Sequence, residues 1–303
     1  MPSFKTTTKL NLRSSPKIAP ETLMATLLTG TLVTKLEDAQ ISGWWQVDVP
    51  SLSTIGFVFA SYLSASTEEE GAPLPAPANI PQVDLTPRAT TDSRRSSINA
   101  RAYPLNELNM PVRIMSDASA KINSLQNIIA WLDVENSARY GPVEAHTYCN
   151  IYAYDFCRLA GVYLPRVWWM RSAIANLVLG TVVHPAYGTT VSELNANSLF
   201  DWFTEFGRSY GWSRVFLLDD LQKSASEEGK VAVIVGQRIN LNTAGHITCV
   251  VPETPSIKAE RNSSKNVIRP LQSQAGRFNH KYYVGNWWSD SAKFRGFGFW
   301  IHD

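Results

Sequence analysis

Residues 144–161 read EAHTYCNIYAYDFCRLAG, and the fold turns on this stretch. Residues 148–159 read as a helix ended by Gly161, since glycine accepts the left-handed conformation that closes a helix. Cys149 then opens that helix. Unpaired N–H groups and the helix dipole favour an anion there, so its thiolate is expected to be stabilised and its pKa to fall. Cys157 lies eight residues on, about two turns away, and Cys249 sits in another apolar run; both read as core residues. Three cysteines with no CxxC spacing form neither a disulfide framework nor a zinc site, and no HExxH is present.

A cysteine nucleophile needs a base, usually histidine. Of the five histidines, His246 is the best placed. It heads the apolar run HITCVV directly after Asn242-Thr243-Ala244-Gly245, and glycine at that point permits close backbone approach. His146, His280 and His302 read as surface or loop residues, and His184, in VVHPAYG, is a lesser candidate for the cleft.

Around these two residues the chain is mixed. Residues 118–134 place apolar side chains at a 3.6-residue period and read as a helix. Residues 197–206 read as another, with Asn197 as N-cap and Gly207 near its end. Residues 231–235, 246–251, 267–274 and 282–287 read as strands. Helices first and strands later predict an α+β domain over 112–303. Residues 1–66 hold short β-like runs at 10–13, 31–36, 45–49 and 56–59 with turn signals between them, which predicts a small all-β barrel. Of Trp44 and Trp45, one is expected in its core and the other on its surface. Residues 67–111 hold seven of the seventeen prolines and read as an extended, solvated linker.

Composition narrows the function. The chain has 303 residues, is 44% hydrophobic and carries a formal charge of +2, so it is globular and gives no electrostatic argument for nucleic acid. No apolar run reaches the roughly 18 residues of a membrane span. The first twenty residues lack the apolar core of a secretory signal. A phage lysin, an injected effector or a chain stripped of its leader would each account for that. A monomer without a cofactor or metal is expected.

LNLRSSP, TGTLVTKLE, GWWQVDV and IGFVFASYLS, in that order over residues 9–64, resemble a bacterial SH3-type domain. CNIYAYDF and GHITCVV resemble the nucleophile and base segments of papain-like cysteine peptidases of the NlpC and CHAP kind over residues 136–303. The resemblance implies an SH3-like wall-binding unit, a linker and a papain-like α+β unit with a helix-borne cysteine and an antiparallel sheet. It implies hydrolysis of an amide in peptidoglycan, with stem peptides as the partner. The bond is either that between muramic acid and alanine or one within the stem. In such sites a third, polar residue on the next strand orients the imidazole. Gln274, late in NVIRPLQSQAG, is preferred; Asn286 in VGNWW is the rival, with Gln272 and Glu253 behind. For an oxyanion donor beside the nucleophile's own N–H, the candidates are Tyr140, Tyr148 and Asn136. Asp155 reads as a structural hydrogen-bonder. Trp168, Trp169, Trp202, Trp212, Trp287 and Trp288 read mostly as core, with one or two left to line a groove for a sugar or a peptide. Two other readings stand beside hydrolysis: a wall-binding protein with a decayed catalytic domain, and an acyltransferase using the same Cys–His pair.

Overall fold

The computed structural model describes residues 2–39, 41–52, 54–66, 80–87 and 91–303. It is a mixed α/β architecture of antiparallel sheets with five α-helices among the described residues. The N-terminal part is all β. Strands β1 (Ser3–Thr6), β2 (Leu10–Arg13), β3 (Leu23–Leu27), β4 (Leu32–Asp38), β5 (Trp44–Val49), β6 (Thr54–Phe59) and β7 (Leu63–Ser66) form one antiparallel sheet in the order β3-β2-β6-β5-β4-β1-β7.

Alternate residues of five of these strands gather into a single aliphatic cluster of Leu10, Leu12, Ala25, Leu27, Val33, Val47, Val49 and Val58. A sheet can bring one face to one cluster only by coiling around it, and register shifts at Leu12/Arg13 and Lys35/Glu37 supply bends. The expected barrel is nevertheless not closed: β3 and β7 are the two edges and do not pair. Edge strand β3 instead lies against the last strand of the chain, and Leu23 packs on the larger core. Trp44 is buried against Phe59 with ring centroids 4.1 Å apart, while Trp45 is half-buried beneath Lys35.

The C-terminal part begins with α1 (Ala118–Leu132), capped by the Asp117 side chain on the Ala120 amide at 2.9 Å. There follow α2 (Cys149–Leu159), β8 (Val167–Trp169), α3 (Arg171–Val178), β9 (Val191–Glu193), α4 (Ala196–Glu205), β10 (Ser213–Val215) and α5 (Leu218–Ser226). The strands then run from β11 (Val231–Arg238) and β12 (His246–Val250) through β13 (Glu260–Arg261), β14 (Val267–Arg269), β15 (Leu271–Gln274) and β16 (His280–Val284) to β17 (Phe294–His302). Six of them form an antiparallel sheet ordered β10-β17-β11-β12-β15-β16. Helices α2, α4 and α5 lie on its central strands, and seven of the eight residues of β11 are buried.

Three expectations change. The strand expected over 267–274 is two strands in different sheets, because Pro270 has no N–H to continue the ladder. Helix α4 is capped by Asn195, whose side chain accepts from the Ser198 amide at 3.0 Å, and not by Asn197. The proline-rich segment is not a free spacer where it is described: Ile80, Val83, Leu85 and Leu105 are buried in the large core, and the Trp169 indole donates to the Pro81 carbonyl at 2.8 Å. Its centre, 67–79, lies outside the described residues.

Candidate active site

Cys149 is the first residue of α2, and no side chain caps that helix. The amides of Ile151 and Tyr152 return to the Tyr148 carbonyl, each at 3.1 Å. Burial pushes the Cys149 thiol above its ordinary value; the backbone amides of Ile247 and Asn150 offset part of this. The expected fall in its pKa is therefore reversed in the unliganded chain. The helix terminus does favour the thiolate, but the residue is only 4% exposed and desolvation outweighs it.

His246 is the first residue of β12, and Ile247 beside it supplies one of the amides acting on Cys149. Pairing of β12 with β15 sets Val250 opposite Gln272. With a side-chain period of two, His246, Thr248, Gln272 and Gln274 share one face, and Gln274 falls on the diagonal from His246. His246 Nε2 and Gln274 Oε1 lie 2.5 Å apart. An amide oxygen only accepts, so this contact puts the ring proton on Nε2 and leaves Nδ1 with its lone pair. Burial pulls the imidazole from 6.5 down to about 4; the bond to Gln274 opposes the shift and the charge of Arg238 adds to it. Both His246 and Cys149 are thus neutral at pH 7.

Further contacts hold His246 and Gln274 in place. Gln272 Oε1 takes hydrogen bonds from Thr248 Oγ1 at 2.8 Å and Trp287 Nε1 at 3.0 Å. The Tyr283 hydroxyl lies 2.9 Å from Gln274 Oε1 and 3.1 Å from Gln272 Oε1, joining the two amides. Trp287 meets the imidazole edge-to-face at 4.7 Å. The loop before His246 is clamped by Asn197, whose Nδ2 donates to the carbonyls of Leu241 and Thr243 and whose Oδ1 accepts from the Arg238 amide. Gly245 is the point of contact. A Cβ there would stand 2.5 Å from Asn197 Oδ1 and 2.7 Å from the Gly236 carbonyl oxygen.

Two cavities meet at this loop. One, of about 690 Å³, is lined by His246, Gln274, Phe278, Trp287 and Phe294; the other, of about 610 Å³, by Tyr148, Cys149, Arg166 and Glu193. Thr147, Thr243, Ala244 and Gly245 line both, so cysteine and histidine open onto the two halves of one cleft. Arg238, Arg277 and Lys293 against Asp290 give the histidine half an excess of positive charge. Among the described residues no cluster of three His, Cys, Asp or Glu side chains is arranged to hold a metal ion.

The other sequence candidates are dispersed. Asn286 lines the histidine half, but the ring nitrogen is taken by Gln274. Gln272 shares that face and supports without touching the ring. Glu253 closes its own loop on the Ala259 amide and Arg261. Tyr148 lines the cysteine half, with the Arg101 guanidinium 3.5 Å over its ring. Tyr140 is fully buried and donates to Asp155 at 3.0 Å, which also binds Arg139; it borders neither half of the cleft. Asn136 is exposed and donates to Asp133 at 2.9 Å. His184 is exposed and borders neither half, whereas His146 lines the cysteine half. Sequence reasoning missed Thr248, Tyr283, Arg166 with its partner Glu193, and the clamp made by Asn197. Only Tyr283 had a legible signal, being two residues before Gly285 in a strand-like run.

No protein-family model matches the sequence, and no curated protein does. Among solved structures, NlpC2 from Trichomonas vaginalis aligns with 93% of this chain and 70% of its own, at 10% identity and a TM-score of 0.26. NlpC1 from the same organism aligns with 97% of this chain and 68% of its own, at 9% identity and a TM-score of 0.27.

Proposed function

We propose that this chain is a cysteine hydrolase that cleaves an amide bond in peptidoglycan. The observation that carries the reading is that a helix-opening Cys149 and a His246 whose Nε2 lies 2.5 Å from Gln274 Oε1 line the two halves of one cleft. The neutral pair favours general-base catalysis over a standing ion pair. Cys149 Sγ attacks the amide carbonyl as its proton passes to His246 Nδ1. The uncapped N–H groups at the start of α2 receive the oxyanion, supporting the Cys149 amide itself as donor. The C–N bond then breaks, His246 returns the proton to the leaving amine, and a thioester remains. Water deprotonated by His246 releases the acid and frees the thiol. Gln274 touches the ring and positions it; Tyr283 acts through Gln274, and Gln272 through Tyr283.

In this reading residues 1–66 form an SH3-like unit that holds the wall polymer, 67–111 the connection and 112–303 the papain-like unit. The substrate is a stem-peptide or muramoyl-alanine amide. Digestion of purified peptidoglycan by the wild type and Cys149→Ala in parallel, with labelling of new amino termini, tests this. New termini with the wild type alone support the hydrolase. Alanine termini identify an amidase, and diamino-acid termini an endopeptidase. Intact walls in both digests, with wall binding retained, would sink it.

A further inference from the structure

The edge of the six-stranded sheet away from the candidate cleft carries another cavity, of about 370 Å³. Its walls come from β10, from β17, from the α4 region and from the turn at residues 50–52 of the N-terminal sheet. Strands β17, β11 and β12 separate it from Gln274, so it is independent of the catalytic proposal.

Arg214 lies in its wall. One of its terminal nitrogens donates to the Phe297 carbonyl at 3.0 Å, while Nε is sealed from solvent and has no acceptor. The rings of Phe216 and Trp300 flank the guanidinium at 5.4 and 5.2 Å. Burial pulls its pKa down to about 10, and no carboxylate opposes that shift. A desolvated cation without a counter-ion is unfavourable, and the usual remedy is an anion in the same pocket. Arg208 brings a second guanidinium to the cavity, Ser51 and Ser213 bring hydroxyls, the Thr204 hydroxyl donates to the Phe200 carbonyl at 2.8 Å, and no Asp or Glu lines it. Neither arginine forms an ion pair among the described residues. Two forked cations and two hydroxyls offer more donors and charge than one carboxylate uses. They match a phosphate monoester, which carries close to two negative charges and three strong acceptor oxygens.

We propose that this cavity is a binding site for a phosphate group, borne on a small molecule whose apolar body lies along Trp300 and Phe216. Because Ser51 and Leu52 come from the N-terminal sheet, an occupant would bridge the two parts of the chain.

Isothermal titration of the full chain with inorganic phosphate, phenyl phosphate, dimethyl phosphate and acetate tests it. One saturable site is expected for phosphate, tighter for phenyl phosphate and at least tenfold weaker for dimethyl phosphate and acetate. Arg208→Ala is exposed and should fold normally, and Arg214→Gln keeps much of the side chain's bulk; each should raise the phosphate Kd at least tenfold. Phosphate binding unchanged in Arg208→Ala and in folded Arg214→Gln, no saturable phosphate binding, or acetate binding as tight as phosphate would each overturn the assignment.

Discussion

Protonation of one buried imidazole should add to the stability this protein loses in acid. His246 titrates near 6.5 when solvated and near 4 in the folded chain, where burial disfavours its charged form. Between those values the unfolded chain binds a proton that the folded chain does not, so stability falls as pH falls through the window. The difference corresponds to up to about 3 kcal/mol, fully present above pH 6.5 and lost below about 4. The measurement is urea unfolding of the wild type and His246→Gln between pH 3.5 and 7.5. Other groups contribute equally to both proteins, so the gap between the two curves isolates His246. It should close toward the variant as pH drops. The same shift governs reactivity: amide hydrolysis should have an acid limb near pH 4, since Nδ1 must be unprotonated to accept the thiol proton. Curves that stay parallel from pH 7.5 to 3.5, or an acid limb at 6.5 or above, would show that the ring is not desolvated.

Three further outcomes are expected. Gly245→Ala places a methyl against Asn197 and the Gly236 backbone, and should cost about 1–3 kcal/mol while lowering kcat/KM much more than stability, read by thermal unfolding beside peptidoglycan digestion. Asp155→Ala leaves Arg139 charged, buried and unpaired, and should cost about 3–5 kcal/mol in urea unfolding without altering the pH profile of any residual activity. Gln274→Glu sets a carboxylate against the imidazole, and should move the acid limb of hydrolysis upward from pH 4, measured as rate against pH.

The local parts of this molecule were legible because they depend on local chemistry. The helix opening at Cys149 lies within one residue of its sequence-based start, and His246 heads its strand as expected. Gln274 was reachable because strand alternation over 272 and 274 leaves few acceptors on the histidine face. What failed depends on partners far along the chain. Strand β17 went unseen because Gly296 and Gly298 weaken a strand pattern; in the sheet, a Cβ at 296 would stand 3.3 Å from the Phe200 ring, so that glycine serves packing against a helix far earlier in the chain. Asn197 looked like a cap, yet Asn195 caps α4 and frees Asn197 to hold a loop some forty residues away. The sign of the Cys149 shift was missed for the same reason. A helix terminus is visible in sequence, whereas the burial that outweighs it is not.

That shift also explains the choice of an amide beside His246. A carboxylate in the place of Gln274 would itself need desolvating, and its charge would hold the imidazole protonated. A protonated ring cannot accept a proton from a thiol that burial keeps neutral. The amide oxygen fixes the same tautomer without adding charge, so Nδ1 keeps its lone pair. Its orientation must then be enforced, because a flipped amide would present N–H groups to the ring. Tyr283 enforces it by placing its hydroxyl on the same oxygen, and the Phe278 carbonyl, 3.4 Å from Gln274 Nε2, receives the other end. Tyr283→Phe should therefore leave the fold intact, yet lower hydrolysis by loosening the amide, with kcat falling and KM steady. An unchanged kcat in that variant would mean that Gln274 needs no second partner to hold the ring.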